Sequence, residues 1–294
     1  MNRTDAGRTS AGRDGVVLAT RTPDRARALA EALRQRRLRL ILSPLRAPRA
    51  LTEPELDALD SALDGGPWEA ATFTSVNGLR GLRTGLARLH AAGRSVHAEP
   101  AALLAGTQVH CVGRATAEEA RAQGLTPAAE TAAGEEEQSA RGLLTRLGRA
   151  GAPGSVLCVH GRPHRPELAD GLRELGAEVT EAVAYAMADW PAPEPLGGQA
   201  PGGAGEERPA ESAAPALDRQ ATAEVLHERA ADVVLVTSPR QLEALHFLGP
   251  LPEPVVCLGS TTAARARELG LAAVTAVSPA PADLAEAALR ARSG

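Results

Sequence analysis

The chain has 294 residues, 44% of them hydrophobic, with 32 basic against 36 acidic side chains and a formal net charge of −4. This length supports two ordinary domains with a core each, while slight acidity and only 2% aromatic residues exclude a nucleic-acid surface of basic patches and stacking rings. All 32 basic residues are arginine, which also excludes Schiff-base and phosphate-loop lysines.

Residues 1–14 read as a disordered tail. Gly15 to Thr20 is a short buried strand, and Thr22-Pro23 supplies a cap and first-turn proline for a helix that aligns Ala26, Leu29, Ala30 and Leu33. Leu38 to Leu42 is the next strand, and Thr52 to Leu63 a helix with Leu56, Leu59 and Leu63 on one face. Ala70 to Thr74 is a strand entering a tight turn, where Ser75 caps a helix carrying Leu79, Leu82 and Leu86. Val109 to Thr116 then reads strand, glycine turn at Gly113 and helix start, with Thr116 and Glu119 spaced as a capping box. Thr126 to Gly134 reads as loop or edge strand, and Gln138 to Leu147 as helix.

Ser155 to Arg162 restarts the pattern of the first strand. A helix through Leu168, Leu172 and Leu175 stops at Gly176, and a strand over Glu178 to Ala184 is closed by Tyr185. Residues 190–215, rich in proline, glycine, alanine and glutamate, read as a mobile low-complexity loop. Leu217 to Ala230 is helical. Asp232 to Thr237 is a strand, and Ser238 caps a helix with Pro239 at its first position. Val256 to Thr262 repeats the strand, the glycine turn (here Gly259) and the hydroxyl-rich helix start, and Asp283 to Arg290 is the final helix.

Strands alternating with helices imply parallel sheets covered on both faces, hence an α/β protein of two similar doubly wound, flavodoxin-like domains with a cleft between them. Ligands of such sheets bind beyond the carboxyl ends of the strands, where helix N-termini present free N–H groups. Ser75, Thr116, Ser238, Thr261 and Thr262 all stand at such ends. Any one of them alone is explained as a cap, and it is the recurrence at equivalent places that marks a binding edge. Thr261 and Thr262 escape a capping box, so the later copy is the stronger candidate for meeting an anion. Tyr185, the single tyrosine, stands where a cleft would be and can donate a proton or hydrogen bond to a departing group.

Dinucleotide, phosphate-loop and nucleophile-elbow patterns are absent. His160 and His164 flank a Gly-Arg-Pro turn instead of sharing a helix face, so no metal is expected. Cys111, Cys158 and Cys257 each lie in an apolar run without a close partner, as buried thiols of a reducing cytoplasm do. No apolar run approaches the roughly 20 residues of a membrane span, and no signal-peptide core is visible. The residues alone also fit a two-domain binding or regulatory protein that closes on a small anion without chemistry.

The ordered set Thr20-Arg21, Phe73-Thr74-Ser75-Val76-Asn77, Val112 to Ala117, Val183-Ala184-Tyr185, Thr237-Ser238-Pro239 and Gly259 to Ala263 resembles the uroporphyrinogen-III synthase family over nearly the whole chain from Gly15. The resemblance implies a cofactor-free lyase that takes hydroxymethylbilane, a linear tetrapyrrole. It removes water from the hydroxymethyl end and closes the ring with inversion of the terminal pyrrole, giving uroporphyrinogen III on the route to heme. It further implies a discontinuous first domain of residues 15–45 with 187–294, an inserted domain of 50–183, and a two-stranded connector of 44–49 and 183–187. Tyr185 would assist departure of the hydroxyl. Arg21, Ser75, Asn77, Gly113, Thr116, Ser238, Gly259, Thr261 and Thr262 would hold the substrate. A cytoplasmic monomer in transient contact with the upstream, hydroxymethylbilane-producing enzyme is the implied setting. Three departures from the family pattern are Ser260 in place of a proline, the lack of a glycine in Gln35-Arg36-Arg37-Leu38, and the insert from Trp190 to Pro215.

Overall fold

A computed structural model describes residues 13–23, 26–128, 139–151, 153–196 and 214–293. The tail expected at 1–14 lies almost wholly outside the described residues, as does 197–213 of the expected 190–215 loop. In chain order the elements are β1 (Gly15–Ala19), α1 (Arg27–Arg34), β2 (Leu38–Leu42), β3 (Arg46–Arg49), α2 (Glu53–Leu63), β4 (Ala70–Phe73), α3 (Val76–Ala91), α4 (Pro100–Leu103), β5 (Gln108–Cys111), α5 (Arg114–Ala122), α6 (Ala140–Ala150) and β6 (Ser155–Arg162). They continue as α7 (Glu167–Glu174), β7 (Glu178–Asp189), α8 (Arg219–His227), β8 (Val233–Val236), α9 (Pro239–Leu248), β9 (Val255–Cys257), α10 (Ser260–Glu268), β10 (Ala273–Thr275) and α11 (Pro281–Ser293).

Two compact units result. Among the described residues the first comprises 13–45, 189–191 and 214–293, and the second 46–188 and 192–196. The first unit's sheet has the order β2-β1-β8-β9-β10, and every neighbouring pair runs parallel. Counted within the unit this is the order 2-1-3-4-5 of a doubly wound sheet. The second sheet has the order β5-β4-β6-β7-β3, with β4–β5, β4–β6 and β6–β7 parallel. The same winding appears, except that the final edge is taken by β3, which enters before the others. Pro48 inside β3 lacks an amide donor and suits an edge.

Strands buried on both faces explain the apolar runs. In the first unit, Val17 and Ala19 face α1 and α11, whereas Val16 and Leu18 face α8, α9 and α10, and all four are almost fully buried. In the second, Leu157 and Val159 of β6 pack with α2, α3 and α5, and Val156 and Cys158 with α6 and α7. Gly81 of α3 lets two backbones meet, since a Cβ there would lie 2.4 Å from the Ala184 carbonyl oxygen of β7.

Three local expectations are corrected. Thr22-Pro23 opens a turn, closed by the Ala26 amide on the Pro23 carbonyl at 3.2 Å, and α1 starts only at Arg27 with Ala26 as its uncapped N-cap. The Thr116–Glu119 capping box does not form. Gly113 takes φ +83°, a left-handed value open to glycine, and turns the chain into α5 early enough that Thr116 lies buried inside the helix. Tyr185 does not follow a strand but lies within one. No glycine or proline interrupts Ala184 to Asp189, and the buried Ala184 and Ala186 carry β7 on to Asp189.

The glycine missing after α1 also has a structural counterpart. Arg37 holds φ +56°, with an exposed side chain, where a glycine would be unstrained. Arg37→Gly should therefore stabilise the fold by about 0.5–1 kcal/mol, the left-handed penalty less glycine's entropic cost. A raised urea midpoint at unchanged m checks it, and a lowered midpoint would show that Arg37 makes a compensating contact.

Candidate active site

Because β4, β5, β6 and β7 run parallel, their carboxyl ends share one edge of the second unit. Register sets the height of each group there. Phe73 pairs with Val159 and Val159 with Ala182, after which a bulge between His160 and Gly161 brings Gly161 opposite Tyr185. Tyr185 is thus level with Ser75, two residues past Phe73. Simple alternation would send Tyr185 to the face away from Ala182 and Ala184, and the bulge turns it back toward α3.

The outcome is a hydroxyl pair. Ser75 Oγ lies 3.3 Å from the Tyr185 phenol oxygen while accepting the Gly78 amide at 3.2 Å as the N-cap of α3. The tyrosine ring lies flat against Gly161, where a Cβ would come within 2.2 Å of Tyr185 Cζ. Both residues are partly exposed, so the pair is accessible along its edge. Asn77 is half-buried in the first turn of α3.

Helix α5 begins beside this pair without a side-chain cap, behind the left-handed Gly113. Glu119, set free from capping, binds Arg80 at 3.0 Å and accepts from Gln123. Burial pushes its carboxyl up, but these hydrogen bonds outweigh it and hold the group below its ordinary range. Arg162 reaches Glu55 at 3.3 Å. Glu55 is already held down at about 2 by the Arg49 guanidinium and is also hydrogen-bonded by Thr52.

The first unit has a matching edge. Arg21 follows β1, and Ser238 caps α9 by accepting the Gln241 amide at 3.4 Å. The Gln241 side chain, missed in the sequence, ties two strand ends together: its oxygen accepts from Thr20 at 3.0 Å and from Thr237, and its amide donates to the Thr20 carbonyl at 3.1 Å. Ser238-Pro239-Arg240-Gln241 has the spacing that could have revealed it. Helix α10 starts at Ser260 behind Gly259, again with no side-chain cap, with Thr261 exposed and Thr262 buried. The capping-box difference that favours the later copy on sequence grounds is not present, because both helices start without a side-chain cap. They differ in the glycine, since Gly259 is extended and Gly113 left-handed.

A third grouping was set aside in the sequence. His160 at the end of β6, His164 in the following loop and Glu181 of β7 place ligand-type atoms within 4.8 Å of one another. Burial first, then the neighbouring His164, push the His160 pKa down against the opposing pull of Glu181.

The family model for uroporphyrinogen-III synthase HemD matches residues 27–286. Among solved structures, a mutant uroporphyrinogen III synthase from the extremely thermophilic bacterium Thermus thermophilus aligns with TM-score 0.56 and 18% identity over 94% of this chain and 99% of that one. Uroporphyrinogen-III synthetase from Helicobacter pylori aligns with TM-score 0.54 and 16% identity over the same shares. These two show a shared fold. No curated protein sequence matches the chain.

Proposed function

Because the chain belongs to the uroporphyrinogen-III synthase family, a group of cofactor-independent cyclising lyases of tetrapyrrole synthesis, we propose that the Ser75–Tyr185 hydroxyl pair acts on the departing hydroxyl of hydroxymethylbilane. The supporting observation is their 3.3 Å separation at the carboxyl edge of a parallel sheet. Electron push from the nitrogen of the pyrrole that bears the hydroxymethyl group breaks the carbon–oxygen bond, and the leaving oxygen needs a proton to depart as water. The Tyr185 phenol gives that oxygen its proton, with Ser75 holding the phenol in place, and the proton released when the ring closes restores the phenol. The methylene carbon so activated is then attacked by the substituted α-carbon of the pyrrole at the opposite end of the chain, and the spirocyclic intermediate so formed rearranges to the inverted ring, losing one proton as that pyrrole regains its aromaticity. Positioning a flexible chain supplies most of the remaining acceleration.

The starts of α5 at Gly113 and Thr116 and of α10 at Gly259, Thr261 and Thr262, which lack a side-chain cap, suit substrate carboxylates by the positive helix end. Arg21, Asn77 and Ser238 are assigned to the same binding role. Among the described residues no helix is long and apolar enough to cross a membrane. A cytoplasmic monomer receiving its labile substrate directly from the upstream enzyme is the setting we assign.

The test supplies hydroxymethylbilane generated in place by that enzyme and resolves the cyclic products. Isomer III should dominate. Accumulation of isomer I alone, the product of spontaneous closure without inversion, would overturn the proposal and leave a non-catalytic binding protein.

A further inference from the structure

We propose that His160, His164 and Glu181 form a binding site for a divalent transition ion of the zinc type, on the face of the second unit's sheet opposite Tyr185. Nothing in the synthase reaction uses these groups, and the proposal does not depend on that reading. His160 Nε2 and His164 Nε2 lie 3.1 Å and 3.2 Å from the same Glu181 oxygen, Oε2. Ligand atoms around a tetrahedral ion with bonds of roughly 2.0–2.1 Å are separated by about 3.3 Å, so each histidine already stands near ligand spacing from Glu181, with all three ligand atoms within 4.8 Å of one another.

Hydrogen bonding around the group sets the lone pairs. His160 Nδ1 lies 3.4 Å from the Gly161 carbonyl oxygen, an acceptor for the Nδ1 proton when Nε2 gives its lone pair to an ion. Without an ion a proton on Nε2 bridges the imidazole and the carboxylate at 3.1 Å, and it is this proton that a metal ion would replace. His164 stacks on His160 with ring centroids 3.6 Å apart, directing a second nitrogen at the same oxygen. Arg173 donates to the other oxygen, Oε1, at 2.7 Å, which orients Glu181 to ligate through Oε2 alone. Two imidazoles and one carboxylate select Zn2+, Co2+ or Ni2+ over Mg2+ and Ca2+, with water completing the shell. Such an ion would clamp β6, β7 and the loop before α7 together.

The full-length protein, stripped with a chelator, is titrated with Zn2+ against a chromophoric competitor, and separately with Co2+ while its visible absorption is recorded. About one equivalent should bind, with the intense bands of low-coordinate Co2+. His164→Ala and Glu181→Gln, both at partly exposed positions, should each weaken binding at least about tenfold, while His246→Ala in the other unit should match the wild type. Failure of the wild-type protein to bind Zn2+ would overturn the site and leave a proton shared by the three groups. Equal binding by His164→Ala and Glu181→Gln would overturn it too.

Discussion

Tyr185→Phe should lower kcat about 100-fold, the lower end of what a positioned proton donor contributes, with KM changed less than about threefold. The hydroxyl is one group at a partly exposed edge, so removing it costs no more than about 1 kcal/mol of stability. Ser75 keeps its other partner, the Gly78 amide, and the helix stays capped. The ring itself stays where it is, stacked on Gly161. Steady-state kinetics on freshly generated hydroxymethylbilane, with urea unfolding alongside, separates the two effects. Turnover equal to wild type would remove Tyr185 from the chemistry while leaving the family assignment intact, because that assignment rests on the whole chain.

The strands and long helices were legible because their signals are periodic. Runs such as Val16 to Ala19 and Val233 to Val236 are buried on both faces, and the helix starts at Ser75 and Ser238 are fixed by local hydrogen bonds. The equally short β3, β10 and α4 lack both a run buried on two faces and a capping side chain, and at three or four residues they show no period. The capping box failed for a different reason. Thr116 and Glu119 have the right spacing, but Gly113's left-handed turn had already started the helix, and Arg80, 39 residues away, claims the carboxylate. The active-site pair was half legible. Ser75 and Tyr185 could each be named, whereas their meeting depends on a one-residue bulge between neighbouring strands. An isolated glycine in an apolar strand, Gly161, was the one available trace of that bulge. The same bulge region separates Tyr185 from His160, and the histidine pair, visible as His160 and His164, is completed by Glu181 of the neighbouring strand, which no linear spacing connects to it.

Gly161→Ala follows from this geometry as a test of position instead of chemistry. The added methyl would sit 2.2 Å from Tyr185 Cζ and 2.5 Å from a ring edge carbon, a distance no packed pair tolerates. What gives way is the outer end of a partly exposed side chain and not backbone, so the ring swings off the strand at a cost of about 1 kcal/mol. Its phenol then leaves Ser75, and a displacement of about 1 Å at a catalytic group is enough for a loss of about 100-fold in turnover. Gly161→Ala should therefore match Tyr185→Phe in kcat although the phenol is still present. In the double variant the losses should not add, since a ring without its hydroxyl has nothing left to misplace. Additive losses would show that Gly161 acts on catalysis by a route other than Tyr185. Full activity of Gly161→Ala would show that the phenol's place against Ser75 is not what the reaction requires.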